Sequence, residues 1–201
     1  MYKYQKKGET LIEVLTAITT LALAALSAVT LIIAVMNSTA VSKDYLLAQN
    51  FARESIETVI NIRDSNWLTF PSEKESEWMN LGCGSESKID QTMYYKIETE
   101  ESGCKKLIQV DASGLNITSP DNQQSFSFYK LYQDTNGIYT HGTSNPKQPQ
   151  PFPAYYRSIK LTPIGTAAPY PQYEIESKVQ WLNNSKVETY TLKAIIANYE
   201  K

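Results

Sequence analysis

The chain has one histidine and two cysteines among its 201 residues. A lone His141 with two cysteines cannot supply a zinc site of the usual ligand spacing. There is no GxSxG turn, no phosphate-binding P-loop and no Gly-rich dinucleotide turn, so the common nucleophile and cofactor signatures are missing. No catalytic residue, metal ligand or cofactor is therefore assigned, and an exported enzyme ranks last among the function classes. Asp134 to Gly137 (DTNG) has the start of a calcium-loop pattern without the rest of its ligands, and reads as a hairpin turn. The net charge is -2, from 19 basic and 21 acidic residues. With no Lys/Arg stripe to offset that balance, no nucleic-acid contact is expected.

Two further absences shape the chain. No charged residue occurs from Val14 to Ser42, and no Gly or Pro occurs between Glu9 and Phe70. A bilayer-spanning helix needs about 20 apolar residues, and a signal-peptide core only about 7–15. The apolar run exceeds both. Ala22-Leu23-Ala24 has the small residues of a signal-peptidase site, but the apolar run continues for another dozen positions. Lys3, Lys6 and Lys7 precede it, which keeps the N-terminus on the cytoplasmic side and exports the C-terminal part of the chain.

One helix is expected from Glu9 to about Asn66, because the composition is Ala, Leu, Ile, Val and Thr without breakers. Past Lys43 it becomes amphipathic: Tyr45, Ala48, Ala52, Ile56, Val59 and Ile60 recur at spacings of three and four. RDSNWLTFP ends it before Pro71. The organisation expected is residues 1–8 as a basic leader, 9–36 as a transmembrane segment, 37–70 as the amphipathic half of the helix, and 71–201 as a strand-rich exported head.

In the head the period changes from helical to alternating. YEIESKVQW and ETYTLKAII, joined by NNSK, read as a hairpin. YYRSIKLT is a strand with Ile159 and Leu161 inward, and MYYKIE is another. LIQV-DASG-LNIT and SFSFYKLY-QDTNG-IYTH each read as strand, turn, strand. The fold class expected is α+β: a long helix covering a mainly antiparallel sheet. Gly142 to Pro153 is Pro-rich and reads as a surface connector. Asn116-Ile117-Thr118 and Asn183-Asn184-Ser185 match the glycosylation sequon. Cys83 and Cys104 lie in Gly- and Ser-rich stretches; in an exported head a disulfide is expected, the alternative being two buried thiols.

There remains Glu13, a carboxylate just inside the apolar run. The sequence KKG-ETLIEVL, with the adjoining apolar helix as far as about Met36, resembles the cleavage and assembly signal of type IV pilin and pseudopilin precursors. The C-terminal strands are similar to those of minor pilins and small pseudopilins. The resemblance implies a cut between Gly8 and Glu9 by a prepilin peptidase, which also methylates the new N-terminus at Glu9. It makes Glu13 the fifth residue of the mature chain, the family's assembly glutamate. The first mature residue departs from the family's usual Phe or Met. The partners implied are other pilin subunits in a helical filament, the inner-membrane assembly machinery and membrane lipid. The location implied is a single-pass cytoplasmic-membrane precursor, then an extracellular pilus or a periplasmic pseudopilus. The competing reading is a membrane-anchored, surface-displayed binding module that does not polymerise.

Overall fold

The computed structural model describes residues 9–70, 78–83, 85, 87, 89, 91–100, 102–110, 113–133, 139–141, 154–164, 172–183 and 185–198. The chain divides into two compact units, Met1–Lys43 and Asp44–Lys201. The second half of the helix thus belongs to the same unit as the sheet. The basic leader, the DTNG turn and the Gly142–Pro153 stretch lie outside the described residues, as does Asn184 of the second sequon.

The helix α1 runs unbroken from Glu9 to Thr69, three residues past the expected end. In the first unit every described side chain is exposed, including Leu11, Leu21, Leu31 and Met36. Hydroxyls there bond back along the helix. Thr16 Oγ1 donates to the Glu13 carbonyl at 2.9 Å, Ser27 Oγ to the Leu23 carbonyl at 2.8 Å and Thr39 Oγ1 to the Val35 carbonyl at 2.9 Å. A hydroxyl satisfied in this way costs little in an apolar medium.

In the second unit, Ala48, Ala52, Ile56 and Val59 of α1 are buried, as their spacing predicts, together with Phe51 and Ile62. Tyr45 stays exposed, although its ring meets that of Trp181 edge-on at 5.0 Å. The helix end is held by Asn66, whose buried amide donates to the carbonyls of Trp78 at 3.2 Å and Asn80 at 3.1 Å.

Among the described residues, seven strands lie beyond the helix. They are β1 (Met93–Thr99), β2 (Lys105–Gln109), β3 (Leu131–Gln133), β4 (Tyr139–His141), β5 (Tyr155–Ile164), β6 (Gln172–Asn183) and β7 (Lys186–Ala197). Five form one antiparallel sheet in the order β2-β1-β5-β6-β7, and β3 pairs with β4. The β6–β7 hairpin turns at Asn183↔Lys186, where NNSK placed it. Alternation sets the faces: Ile159, Leu161, Ile175 and Val179 are fully buried, and Leu192, Ala194 and Ile196 of β7 turn the same way. Pro163 in β5 is tolerated because β1 pairs only as far as Leu161, so no neighbour on that side needs its missing N–H.

Two expected strands are not strands. Leu115 to Thr118 is extended and buries Leu115 and Ile117, but it joins no ladder. Side chains on the outer face of β6 satisfy its backbone instead. The Ile117 N–H donates to Gln180 Oε1 at 2.8 Å, and Lys178 Nζ donates to the Leu115 carbonyl at 2.8 Å. Ser125 to Tyr129 belongs to a 3₁₀ helix, Pro120–Tyr129, kinked at Phe126. The Ser-Pro-Asp-Asn start overrides the alternation of SFSFY. Pro120 occupies the first turn, and Asn122 Oδ1 accepts the N–H groups of Thr118 and Ser119 at 3.3 and 3.4 Å. Gly114 leads into this outer layer with φ 67°, and a Cβ there would collide with the Tyr94 ring.

Candidate functional site

Gly8, on the leader side of the expected cut, lies outside the described residues, and Glu9 is the first residue of α1. Glu13 is exposed on α1 between Ile12 and Val14, themselves 65% and 58% exposed. It makes no ion pair with another described residue of the chain. This helix is long and apolar enough to cross a membrane, by length and composition. Glu13 is thus a carboxylate set among apolar side chains that the first unit itself does not cover.

Cys83 and Cys104 belong to the second unit and form a disulfide. It joins the turn between β1 and β2 to the segment after Asn80, whose Leu81 carbonyl accepts the Leu107 N–H at 2.8 Å. Gly82 allows this approach: its φ is 93°, and a Cβ would lie 2.7 Å from the Lys105 carbonyl oxygen.

Sequence reasoning missed two polar arrangements under the sheet. Arg157 of β5 is 1% exposed, and its guanidinium donates to Glu54 Oε2 of α1 at 2.9 Å. The second Glu54 oxygen lies 3.5 Å from Lys105 Nζ of β2. Burial pulls the Arg157 pKa down from its ordinary value, and the Glu54 carboxylate opposes that shift. Alternation puts Arg157 on the inward face with Ile159 and Leu161, but nothing in the sequence marks Glu54, over a hundred residues earlier, as the carboxylate that meets it. Near the other end of this helix half, the Tyr155 hydroxyl donates to Asp44 Oδ1 at 3.1 Å. Burial first, and then the Asp44 carboxylate, push this phenol well above its usual range.

His141 is the second arrangement. β1 and β5 pair from Met93↔Leu161 to Tyr95↔Ile159 and then separate. Continued in register, Ile97 would have faced Arg157. The His141 ring enters that gap. Its Nδ1 is 3.2 Å from the Ile97 nitrogen and 2.9 Å from the Ile97 oxygen, and its Nε2 is 2.9 Å from the Arg157 oxygen. With the proton on Nε2, the ring donates to Arg157 and accepts the Ile97 N–H, doing with a side chain what a ladder rung would have done. Burial, reinforced by the Arg157 and Lys96 charges, pushes its pKa down to about 3. The ring is neutral at physiological pH and links the two strands where their ladder ends.

Among the described residues, no group of three or more His, Cys, Asp or Glu could hold a metal ion. Comparison with protein-family models, with curated proteins and with solved structures finds no match to this chain.

Proposed function

We propose that the chain is the structural subunit of a type IV pilus or pilus-like filament, made as a prepilin, cut after Gly8 and assembled through α1. The observation that carries this reading is Glu13: a carboxylate one turn inside a long helix, beyond Glu9 at its start, among apolar side chains that have no partner in their own unit. In a single-span anchor that charge only adds insertion cost, about 2.5–3.5 kcal/mol for a carboxylate deep in a bilayer. In a helical stack of such helices it acquires a use. Cutting at Gly8 creates an α-amine on Glu9 with a reference pKa near 7.7–8.0, largely protonated at neutral pH. Glu13 of one subunit then meets the Glu9 amine of its neighbour. Each charge is costly alone, and pairing relieves both in one axial register, so the pair selects register while helix packing supplies attraction.

Two features of the second unit fit this role. Its sheet is anchored on the same helix through Ala48 to Ile62, and a disulfide staples its loops. Both suit a pilin-like head exported to an oxidising compartment.

The test is the N-terminus of the chain recovered from the cell surface. Intact mass and N-terminal sequencing should give a start at Glu9, with or without one methyl group. A start after Ala24 or Ala28 means ordinary signal peptidase and removes the filament reading. A start at Met1 with the head exposed favours the anchored, non-polymerising module.

A further inference from the structure

The outer side of the head carries a cleft of about 420 Å³, within the range of small-ligand pockets. It lies between the 3₁₀ helix and the start of β3. Gln124, Ser127 and Asp121 are exposed at its mouth, and none of them makes a side-chain hydrogen bond to another described residue. Tyr156, almost fully buried, forms the floor, its hydroxyl donating to Gln123 Oε1 at 3.1 Å. Lys130 and Tyr132 form one wall, with the ammonium 5.8 Å from the ring centroid. Both are half-buried.

Lys130 is what makes the cleft more than a dimple. Four strand lysines have counterions: Lys105 meets Glu54 at 3.5 Å, Lys106 meets Glu100 at 2.7 Å, Lys186 meets Glu188 at 2.9 Å, and Lys193 meets Glu174 and Glu176 at 3.0 and 2.9 Å; Lys160 lies over the Tyr94 ring, and Lys178 donates to the Leu115 carbonyl. Lys130 makes no ion pair among the described residues. Partial burial alone acts on its ammonium and lowers its pKa. A half-desolvated cation without an anion is a standing cost, relieved when a ligand brings one. Around it stand amide, hydroxyl and carboxylate groups, which hydrogen-bond hydroxyls in either direction. The Tyr132 ring offers an apolar platform of the size of a pyranose face. Little apolar side-chain surface lines the remainder, which disfavours a lipid or an aliphatic peptide.

We propose that this cleft binds an acidic carbohydrate, with Lys130 on the carboxylate of a hexuronic acid, Tyr132 against the sugar ring, and Gln124, Ser127 and Asp121 on its hydroxyls. The site belongs to the head alone, so it stands or falls independently of filament assembly.

The full chain in phosphatidylcholine nanodiscs is titrated with tetragalacturonate and, separately, with neutral cellotetraose. Binding is read by saturation-transfer difference NMR. Tetragalacturonate should bind at least tenfold more tightly than cellotetraose. Lys130→Gln should abolish that preference, since a charge-assisted hydrogen bond is worth about a factor of ten or more. Tyr132→Ala should weaken both sugars, and Gln124→Ala, at an exposed position that the fold does not need, should weaken tetragalacturonate severalfold. Near-UV circular dichroism confirms that each variant keeps its fold. No transfer to tetragalacturonate overturns the proposal, as does binding that Lys130→Gln and Gln124→Ala leave unchanged. Equal affinity for the two sugars overturns the role of Lys130.

Discussion

Removing the Glu54 carboxylate should destabilise the head far more than its half-exposed position suggests. Glu54→Ala leaves Arg157 buried at 1% exposure, with the Phe51 carbonyl, 3.4 Å from Nη1, as its nearest remaining acceptor among the described residues. Two unit charges 2.9 Å apart attract by roughly 6 kcal/mol at an effective dielectric near 20, most of which offsets the desolvation of the pair. The net effect of stranding one buried member is about 3–5 kcal/mol. Lys105 lies 3.5 Å from Glu54 and is 38% exposed, so its share is under about 1 kcal/mol. The reverse deletion, Arg157→Met, should cost less, because Glu54 is 33% exposed and turns toward water and Lys105. The double variant Glu54→Ala/Arg157→Met should recover much of the loss, with a coupling of about 2–3 kcal/mol. The assay is urea unfolding of the full chain in detergent. Fluorescence of Trp78 and Trp181, both buried in this unit, follows the transition. A loss below 1 kcal/mol for Glu54→Ala, or a double variant as unstable as the sum of the two, would refute the reasoning.

The buried imidazole gives a pH dependence. His141 titrates at about 3 in the fold and near 6.5 when unfolded, so the unfolded chain binds the extra proton between those values. Its contribution is complete above about pH 6.5 and lost as the pH falls toward 3, by an amount of order 4 kcal/mol; His141→Gln should flatten urea midpoints measured across that window. Reduction of Cys83–Cys104, separated by 21 positions, should lower stability by about 3 kcal/mol in the chain-entropy account. Mass spectrometry without reductant should show the loss of two hydrogens, and free thiols in the surface protein would contradict the bridge. Gly114→Ala should cost at least 1–3 kcal/mol, since it combines a positive φ with a collision against Tyr94, and Tyr94→Ala should relieve part of that cost in the double variant.

The parts of the fold legible in the sequence were those that a single period encodes. The helix was readable because nothing between Glu9 and Phe70 interrupts it, and β5, β6 and β7 because apolar and polar residues alternate through the middle of each. Where a segment's backbone is satisfied by distant side chains, alternation misleads. Leu115 and Ile117 alternate like a strand yet rest on Gln180 and Lys178 of β6, some sixty residues later. SFSFY alternates too, but the capping residues before it decide its conformation. The buried Arg157–Glu54 pair and the His141 bridge were invisible for a related reason. The first depends on which helix residue faces Arg157, the second on where β1 and β5 stop pairing, and composition records neither. The same holds for the Lys130 cleft, whose residues become neighbours only once the 3₁₀ helix replaces a strand. Glu13 is the opposite case. Its significance comes from its place in the sequence, and one chain contains only half of the pair proposed for it.

The central claim is that Glu13 directs polymerisation rather than anchoring. Tagged wild-type and Glu13→Leu chains are co-expressed, and the ratio of the two is measured in the membrane and in sheared surface filaments. Membrane levels should be equal, or slightly higher for Glu13→Leu, since the apolar side chain removes an insertion cost. Processing at Gly8 should be retained in both. The filament fraction should be depleted in Glu13→Leu by tenfold or more, with Glu13→Asp intermediate. Incorporation of Glu13→Leu at the wild-type ratio would contradict pairing with the Glu9 amine and leave the carboxylate without a role in assembly.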